Sequence, residues 1–286
     1  MGEALHAHDL SANPAGADAT RETDKPTDAS DSSRGPSIFS LELATLTMAD
    51  PIRWLKLGWK DFQRCPRIGL FYGLCFFLMG HALLAVFRSA PAYVLALSAG
   101  FLLMGPFLFL GLYDASKAMQ TNDHRPSLRA SLQSWRPTKS TMAIFAGVLL
   151  ILEMLWGRAS LVVFAVSFNT MPEKANILAM LIDPENIGFL ITYTVVGSIF
   201  AGLIFVTSVI SIPMIMDRQI DAVSAGLTSI RACLQNPGVM LFWGALITGI
   251  IALSMLPVFL GLFIAGPVIG HATWHAYRQI VPAPAD

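Results

Sequence analysis

The chain has 286 residues, 54% of them hydrophobic and only 13% charged. Soluble domains carry about 25% charged residues, so the composition excludes an ordinary soluble globular domain and points to an all-α integral membrane protein. The net charge of zero hides an asymmetry: residues 1–50 hold nine acids and three bases, and the rest holds ten acids and sixteen bases, so the basic surplus falls in the apolar part.

Three cysteines (Cys65, Cys75, Cys233) form no CxxC and no even framework, which argues against a disulfide scaffold or a zinc ribbon. No basic stretch followed by an apolar one opens the chain, so no cleavable signal peptide is expected. Residues 1–37 are Ala, Asp, Ser, Thr, Pro and Gly with few large apolar side chains. They bury too little surface to offset ordering entropy and read as a disordered cytoplasmic tail, with His6, His8 and Asp9 in it as solvated side chains rather than metal ligands.

From Ile52 the pattern changes. Ile52, Leu55, Trp59 and Phe62 recur at helical steps with Arg53, Lys56, Lys60 and Arg64 between them, and Pro66 stops the run. This predicts a basic amphipathic helix lying at an anionic membrane face. Two apolar runs follow, 68–87 and 92–113, each long enough to cross a ~30 Å hydrocarbon core. Residues 114–140 are polar and hold a second lead-in, Leu128, Leu132 and Trp135, stopped by Pro137. Spans are then predicted at 141–168 and 188–216, separated by a mildly acidic loop. Ile220, Val223, Leu227, Ile230 and Leu234 mark a third lead-in, closed by Pro237. The run 239–277 is too long for one crossing and divides into 239–255 and 258–277. The membrane domain is thus residues 45–280 with six transmembrane helices.

Sixteen of the nineteen Lys and Arg fall in the tail, the lead-ins, the 114–140 and 217–237 loops and the C-terminus, against only Arg88 and Lys174 on the other side. Positive-inside then places the N- and C-termini in the cytoplasm.

The chain also repeats itself. Ser127–Gln133 (SLRASLQ) lines up with Ser229–Gln235 (SIRACLQ). Gly105-Pro106 precedes Tyr113, Asp114, Ala115 and Lys117 as Gly266-Pro267 precedes Trp274, His275, Ala276 and Arg278 at the same offsets; Pro213 is the middle counterpart. Three repeated helical hairpins, each preceded by an amphipathic interfacial helix and related by an axis along the membrane normal, are expected. Gly69-x-x-x-Gly73 and Gly266-x-x-x-Gly270 read as packing positions. The Gly-Pro pairs read as packed kinks, with the lining of a solute path as the alternative.

The candidate functional side chains are few. His271 and His275, four apart, share a helix face and are the candidates for a haem or metal. His81 sits about 10 Å off in depth, which argues against one ion shared by all three. Glu153 is an intramembrane carboxylate, and Arg158 lies about 140° around the helix from it, a poor partner. No Walker A, HExxH, GxSxG or dinucleotide fingerprint is present, so no enzyme activity, resident cofactor or nucleic-acid partner is expected.

With its lead-ins, Gly-Pro spans and closing GPVIGHATWHAYRQI, the chain over about residues 45–280 resembles a proteobacterial family of multi-pass inner-membrane proteins of unknown function, sometimes labelled as like cytochrome c oxidase subunit I. That oxidase subunit has more spans and more metal-binding histidines than this chain, so its metal chemistry is not carried over. The resemblance implies a bacterial inner-membrane protein and no defined site residues. The expectations are a non-enzymatic accessory or scaffold in contact with anionic lipid headgroups at its lead-in helices and with a membrane partner or a second copy. The alternatives are a small-solute transporter or channel, and a haem- or metal-binding redox accessory.

Overall fold

The structure, a computed structural model, describes residues 42–90, 93–121, 126–168 and 183–282, all within the compact unit Ile38–Asp286. The tail expected at residues 1–37 and most of the acidic loop, with Lys174, lie outside the described residues. The helices are α1 (Asp50–Arg64), α2 (Pro66–Ser89), α3 (Val94–Thr121), α4 (Leu128–Gln133), α5 (Lys139–Ser167), α6 (Ile187–Ser208, entered through a 3-10 turn at Pro184–Asn186), α7 (Ser211–Arg218), α8 (Ala222–Gln235), α9 (Pro237–Met255) and α10 (Leu262–Ile280). Among the described residues there is no strand.

Among the described residues, five stretches are long and apolar enough to cross a membrane: Pro66–Ser89, Leu97–Thr121, Lys139–Ser167, Pro184–Arg218 and Pro237–Met255. The sequence predicts a sixth at 258–277, and the helix there differs in kind. α10 is 19 residues long, about 29 Å at 1.5 Å per residue, but its second half carries His271, Thr273, His275, Arg278 and Gln279. Its polar half is enclosed by protein: Gly266, Pro267, Ile269 to Trp274, Ala276, Tyr277 and Ile280 are buried, and α1, α2 and α3 pack around it. A helix so covered has no need of an all-apolar surface.

Helix ends follow local chemistry. The Asp50 carboxylate accepts from the Thr47 N–H at 2.7 Å and the Thr47 hydroxyl at 2.9 Å, and Pro51 follows in the first turn. α1 stops at Cys65 (φ −127°, ψ 57°) and α8 at Asn236 (φ −129°, ψ 55°), each followed by a proline that opens the next helix. The α9–α10 connection turns through Val258 and Phe259 at φ 52° and 63°. For β-branched Val258 this is a strained conformation.

The three short lead-in helices, α1, α4 and α8, each turn large apolar side chains outward. On α8, Ala222, Ala225, Thr228, Ser229, Ala232 and Cys233 are buried, while Val223, Leu227 and Leu234 of the predicted stripe are exposed. On α4 Ser131 is buried and Leu132 is exposed, as is Trp135 in the turn that follows. On α1, Trp54, Gly58, Asp61 and Phe62 are buried and Ile52 and Trp59 are exposed. Small or polar faces turn inward, where backbones approach closely, and large apolar side chains turn out, as membrane packing favours.

Between α6 and α7 the helix breaks, and Ser229 of α8 fills the break. Its hydroxyl donates to the Val206 carbonyl at 2.7 Å and accepts from the Ile210 N–H at 3.2 Å, inserting into the ladder as a side-chain bridge does at kinks. Ser229 and Ile210 are both 0% exposed. Ser229→Ala therefore leaves a buried donor unpaired and is expected to cost about 1–3 kcal/mol, read as a lowered unfolding temperature in detergent. Thr248→Ala, on an exposed hydroxyl bonded within its own helix, should stay within about 0.5 kcal/mol.

α1 lies along α10, the most extensive helix pairing among the described residues. Trp54 meets Trp243 of α9 edge-on at 5.5 Å, and its indole N–H donates to the Gln279 side-chain oxygen at 2.8 Å. Ahead of α1, the Leu46 N–H donates to Asn236 Oδ1 at 2.9 Å and the Ala44 N–H to the Ile280 carbonyl at 3.0 Å. The start of the membrane domain is thereby fastened to its end.

Candidate functional site

A largely buried polar group, with Gln120 at its exposed rim, lies where α1, α3 and α10 meet. α1 supplies Asp61, on the inner face with Trp54 and Gly58, and it is 4% exposed. α3 supplies Ser116 and Gln120, and α10 supplies His271, Trp274 and His275. Ser116 and His271 are 0% exposed. Four residues separate Ser116 from Gln120 and His271 from His275, so each pair lies on one helix face.

The donors fix the direction of this network. The Trp274 indole can only donate, and it does so to Gln120 Oε1 at 3.0 Å. The Gln120 amide nitrogen then donates to His275 Nδ1 at 3.0 Å, which makes Nδ1 an acceptor and Nε2 the protonated nitrogen. His275 Nε2 donates to Asp61 Oδ2 at 2.8 Å, and the Ser116 hydroxyl donates to the same oxygen at 2.9 Å. With the Ser116 proton used, His271 Nδ1 must donate to Ser116 Oγ at 2.7 Å. His271 Nε2 faces Cys65 Sγ at 4.0 Å, and that thiol donates to the Asp61 carbonyl at 3.2 Å.

Burial would raise the Asp61 carboxyl, but the hydrogen bonds it accepts from His275 and Ser116 hold it below the usual carboxylate range. Burial, with the Asp61 charge beside it, pushes the Cys65 thiol up to about 12. It stays a thiol at neutral pH and is a poor nucleophile or metal ligand.

A second cluster adjoins the first at the ends of α3, α7 and α10. Asp217 pairs with Lys117 at 2.8 Å and with Arg278 at 3.4 Å, and accepts from the Tyr277 hydroxyl at 2.7 Å. Arg218 donates to the Tyr277 hydroxyl at 3.3 Å and to the Pro282 carbonyl. Arg218 and Arg278 sit in the last turns of their helices, where a cation also offsets the negative end of the helix dipole.

Of the predicted candidates, His271 and His275 join in one network, and His81 is apart from it. The His81 Nδ1 lies 3.1 Å from the Phe77 carbonyl of its own helix, and its ring is flanked by Phe77 and Phe259. Glu153 accepts from the Ser98 hydroxyl of α3 at 3.0 Å, so its partner is a neutral group on another helix; Arg158 is exposed. The glycines divide. An added Cβ at Gly73 would run into the Phe263 carbonyl of α10, one at Gly69 would meet the Phe62 ring at 2.5 Å, one at Gly266 the Phe76 ring at 2.5 Å, and one at Gly270 Leu112 at 2.6 Å. Gly105, beside buried Pro106, meets nothing within 4 Å. Pro213 and Pro267 are buried inside α7 and α10.

Asp61, Ser116 and Gln120 were not found from the sequence. The available signal was the spacing of Trp54, Gly58, Asp61, Phe62 and Cys65, a second helical face on α1 that the larger stripe of Ile52, Leu55 and Trp59 outweighed.

The donor set fits a metal or haem poorly. Both His275 ring nitrogens are engaged in hydrogen bonds, and one nitrogen of His271 is. Among the described residues no group of three or more His, Cys, Asp and Glu side chains is placed to hold a metal ion.

Residues 94–217 match the family model described as "Predicted integral membrane protein (DUF2189)". The chain is an integral membrane protein with several apolar helices. The match takes in α3 to α7, and so holds Ser116, Gln120, Lys117, Glu153 and Asp217 but neither Asp61 nor the two histidines. No curated protein and no solved structure matches the chain.

Proposed function

We propose that the chain is a non-enzymatic accessory or scaffolding protein of the bacterial inner membrane. It crosses six times as three repeated hairpins around a central axis, with both termini in the cytoplasm. Side-chain positions that correspond in the sequence support the repeat, because they meet in space. Tyr113 and Trp274, eight residues after Gly105 and Gly266, stack at 6.3 Å. Lys117 and Arg278, twelve residues after the same glycines, both bind Asp217, four residues after Pro213. Each short helix packs on the helix that ends the preceding unit: α4 on α3, α8 on α6 and α7, and α1 on α10 to close the ring. The charge distribution supports the orientation. Reporter fusions in the 114–140 loop test it, since a periplasmic loop reverses the assignment.

One observation carries the functional reading: the buried groups of the network spend their hydrogen bonds on one another. Catalysis or transport needs groups free to exchange a partner with substrate. A mutually satisfied buried network instead fixes one arrangement of helices. Purified protein is expected to show no Soret band and no stoichiometric metal. In proteoliposomes, no flux above empty vesicles is expected for cations, anions or neutral solutes.

Glu153 favours a second reading, a small-solute transporter, because an intramembrane carboxylate with a hydroxyl partner is the usual mark of a solute or proton path. A flux present in the parent chain and lost in Glu153→Gln or Pro106→Ala establishes that reading and removes the scaffold.

A further inference from the structure

The outward faces of the three short helices have a composition that water does not explain. Ile52 and Trp59 on α1, Leu132 on α4 with Trp135 in the turn after it, and Val223, Leu227 and Leu234 on α8 are between 39% and 73% exposed. They recur in all three units, at the end of the bundle where Lys117, Arg218 and Arg278 gather. Charge is not shared equally among them. The exposed side of α1 and the first turn of α2 carries Arg53, Lys56, Lys60, Arg64 and Arg67. The acids of α1, Asp50 and Asp61, are 7% and 4% exposed and face inward. Its outer face is therefore all basic, interleaved with an aromatic and an aliphatic side chain.

We infer that the three short helices form a collar seated at the lipid headgroups, and that the outer face of α1 is a binding site for anionic phospholipid. This rests on the membrane reading above but not on the orientation. α1 is held along α10 by Trp54, Gly58 and Asp61, so its basic side chains are a fixed platform; no mobile helix has to order on binding, and that cost is avoided. Trp59 brings an amphipathic ring to the headgroup level, and the bases draw negative headgroups from within a Debye length. α4 has the same apolar pair with Arg129, Arg136 and Lys139, and α8 has the apolar face with fewer bases. Anionic preference should therefore concentrate at α1 while all three helices share the apolar seating.

The full-length chain is reconstituted in symmetric vesicles of phosphatidylcholine with a minority of phosphatidylglycerol, then extracted mildly, and the two lipids retained with it are measured. Symmetric bilayers make the result independent of orientation, so a failure here is distinct from a reversed reporter-fusion result. Phosphatidylglycerol should be enriched over the bulk ratio. In K56Q/K60Q/R64Q/R67Q the enrichment should fall at least about fivefold, the factor one basic side chain near an anionic surface confers. Arg53 is left in place because its charge faces Asp50. R129Q/R136Q/K139Q should keep most of the enrichment. High salt must lower the enrichment of the parent chain, a readout that needs no variant. No enrichment in the parent, or enrichment equal in parent and quadruple variant, overturns the proposal.

Discussion

Asp61→Ala is expected to destabilise the protein by about 2–5 kcal/mol, because two buried donors lose their charged acceptor at once. The substitution strands His275 Nε2–H and the Ser116 hydroxyl, which share Oδ2, and Ser116 in turn is the acceptor for His271. The informative comparison is Asp61→Asn. Because both donors address one oxygen, an asparagine oxygen in that place keeps both hydrogen bonds and forfeits only their charge assistance, a loss of about 1–2 kcal/mol. Thermal unfolding in detergent measures both. Equal losses for the two variants would falsify the shared-acceptor geometry and make the network an ion pair in the main. Acid provides a second check. Asp61 is held below its ordinary value of 3.8 in the folded protein, so the carboxylate's contribution is full above that value and is lost as pH falls through the lower folded value. The gap between parent and Asp61→Asn should close below about pH 4.

The secondary structure was legible because its signals are local. Proline ends α1 and α8, apolar runs of membrane length mark α2, α3, α5, α6 and α9, and the expected division after residue 255 falls where α9 ends. The protein-facing sides of the lead-in helices were not legible. In water a large apolar stripe marks the buried side. In a bilayer both surfaces are apolar, and small residues that let backbones meet decide which side faces in. Val223, Leu227 and Leu234 mark the outward face of α8, while the face that packs on protein is a row of Ala and Ser that carries no apolar stripe.

The same small and polar inward faces concealed half the site. His271 and His275 stood out because a histidine in an apolar run is costly. Asp61 did not, since an acid among Lys and Arg reads as one more solvated charge. Only the path of the chain tells that α1, at the start of the membrane domain, lies against α10 at its end, and no local pattern carries a contact across more than two hundred residues. Ser116 and Gln120 carry no signal of their own, and their roles come from standing opposite the two histidines.

The remaining large effect tests that long-range closure through glycine. At Gly58 of α1 a Cβ would lie 2.6 Å from the Val268 carbonyl and 2.7 Å from the Ala272 nitrogen of α10, and at Gly73 of α2 it would overlap the Phe263 carbonyl of the same helix. Backbone atoms of a packed helix cannot rotate aside, so Gly58→Ala and Gly73→Ala should each cost at least about 3 kcal/mol, the upper end of overpacking effects. Gly69→Ala meets only the Phe62 ring; a side chain can shift, so about 1–2 kcal/mol is expected. Gly105→Ala meets nothing, and should be neutral or gain up to about 1 kcal/mol from helix propensity. Composition predicts the same effect at all four sites, because each glycine lies in a helix of the membrane domain. The order Gly73 and Gly58, then Gly69, then Gly105, read from unfolding temperatures, instead follows what each glycine touches. If Gly58→Ala were as mild as Gly105→Ala, α1 would not be seated on α10, and the position of Asp61 beside His275 would lose its support.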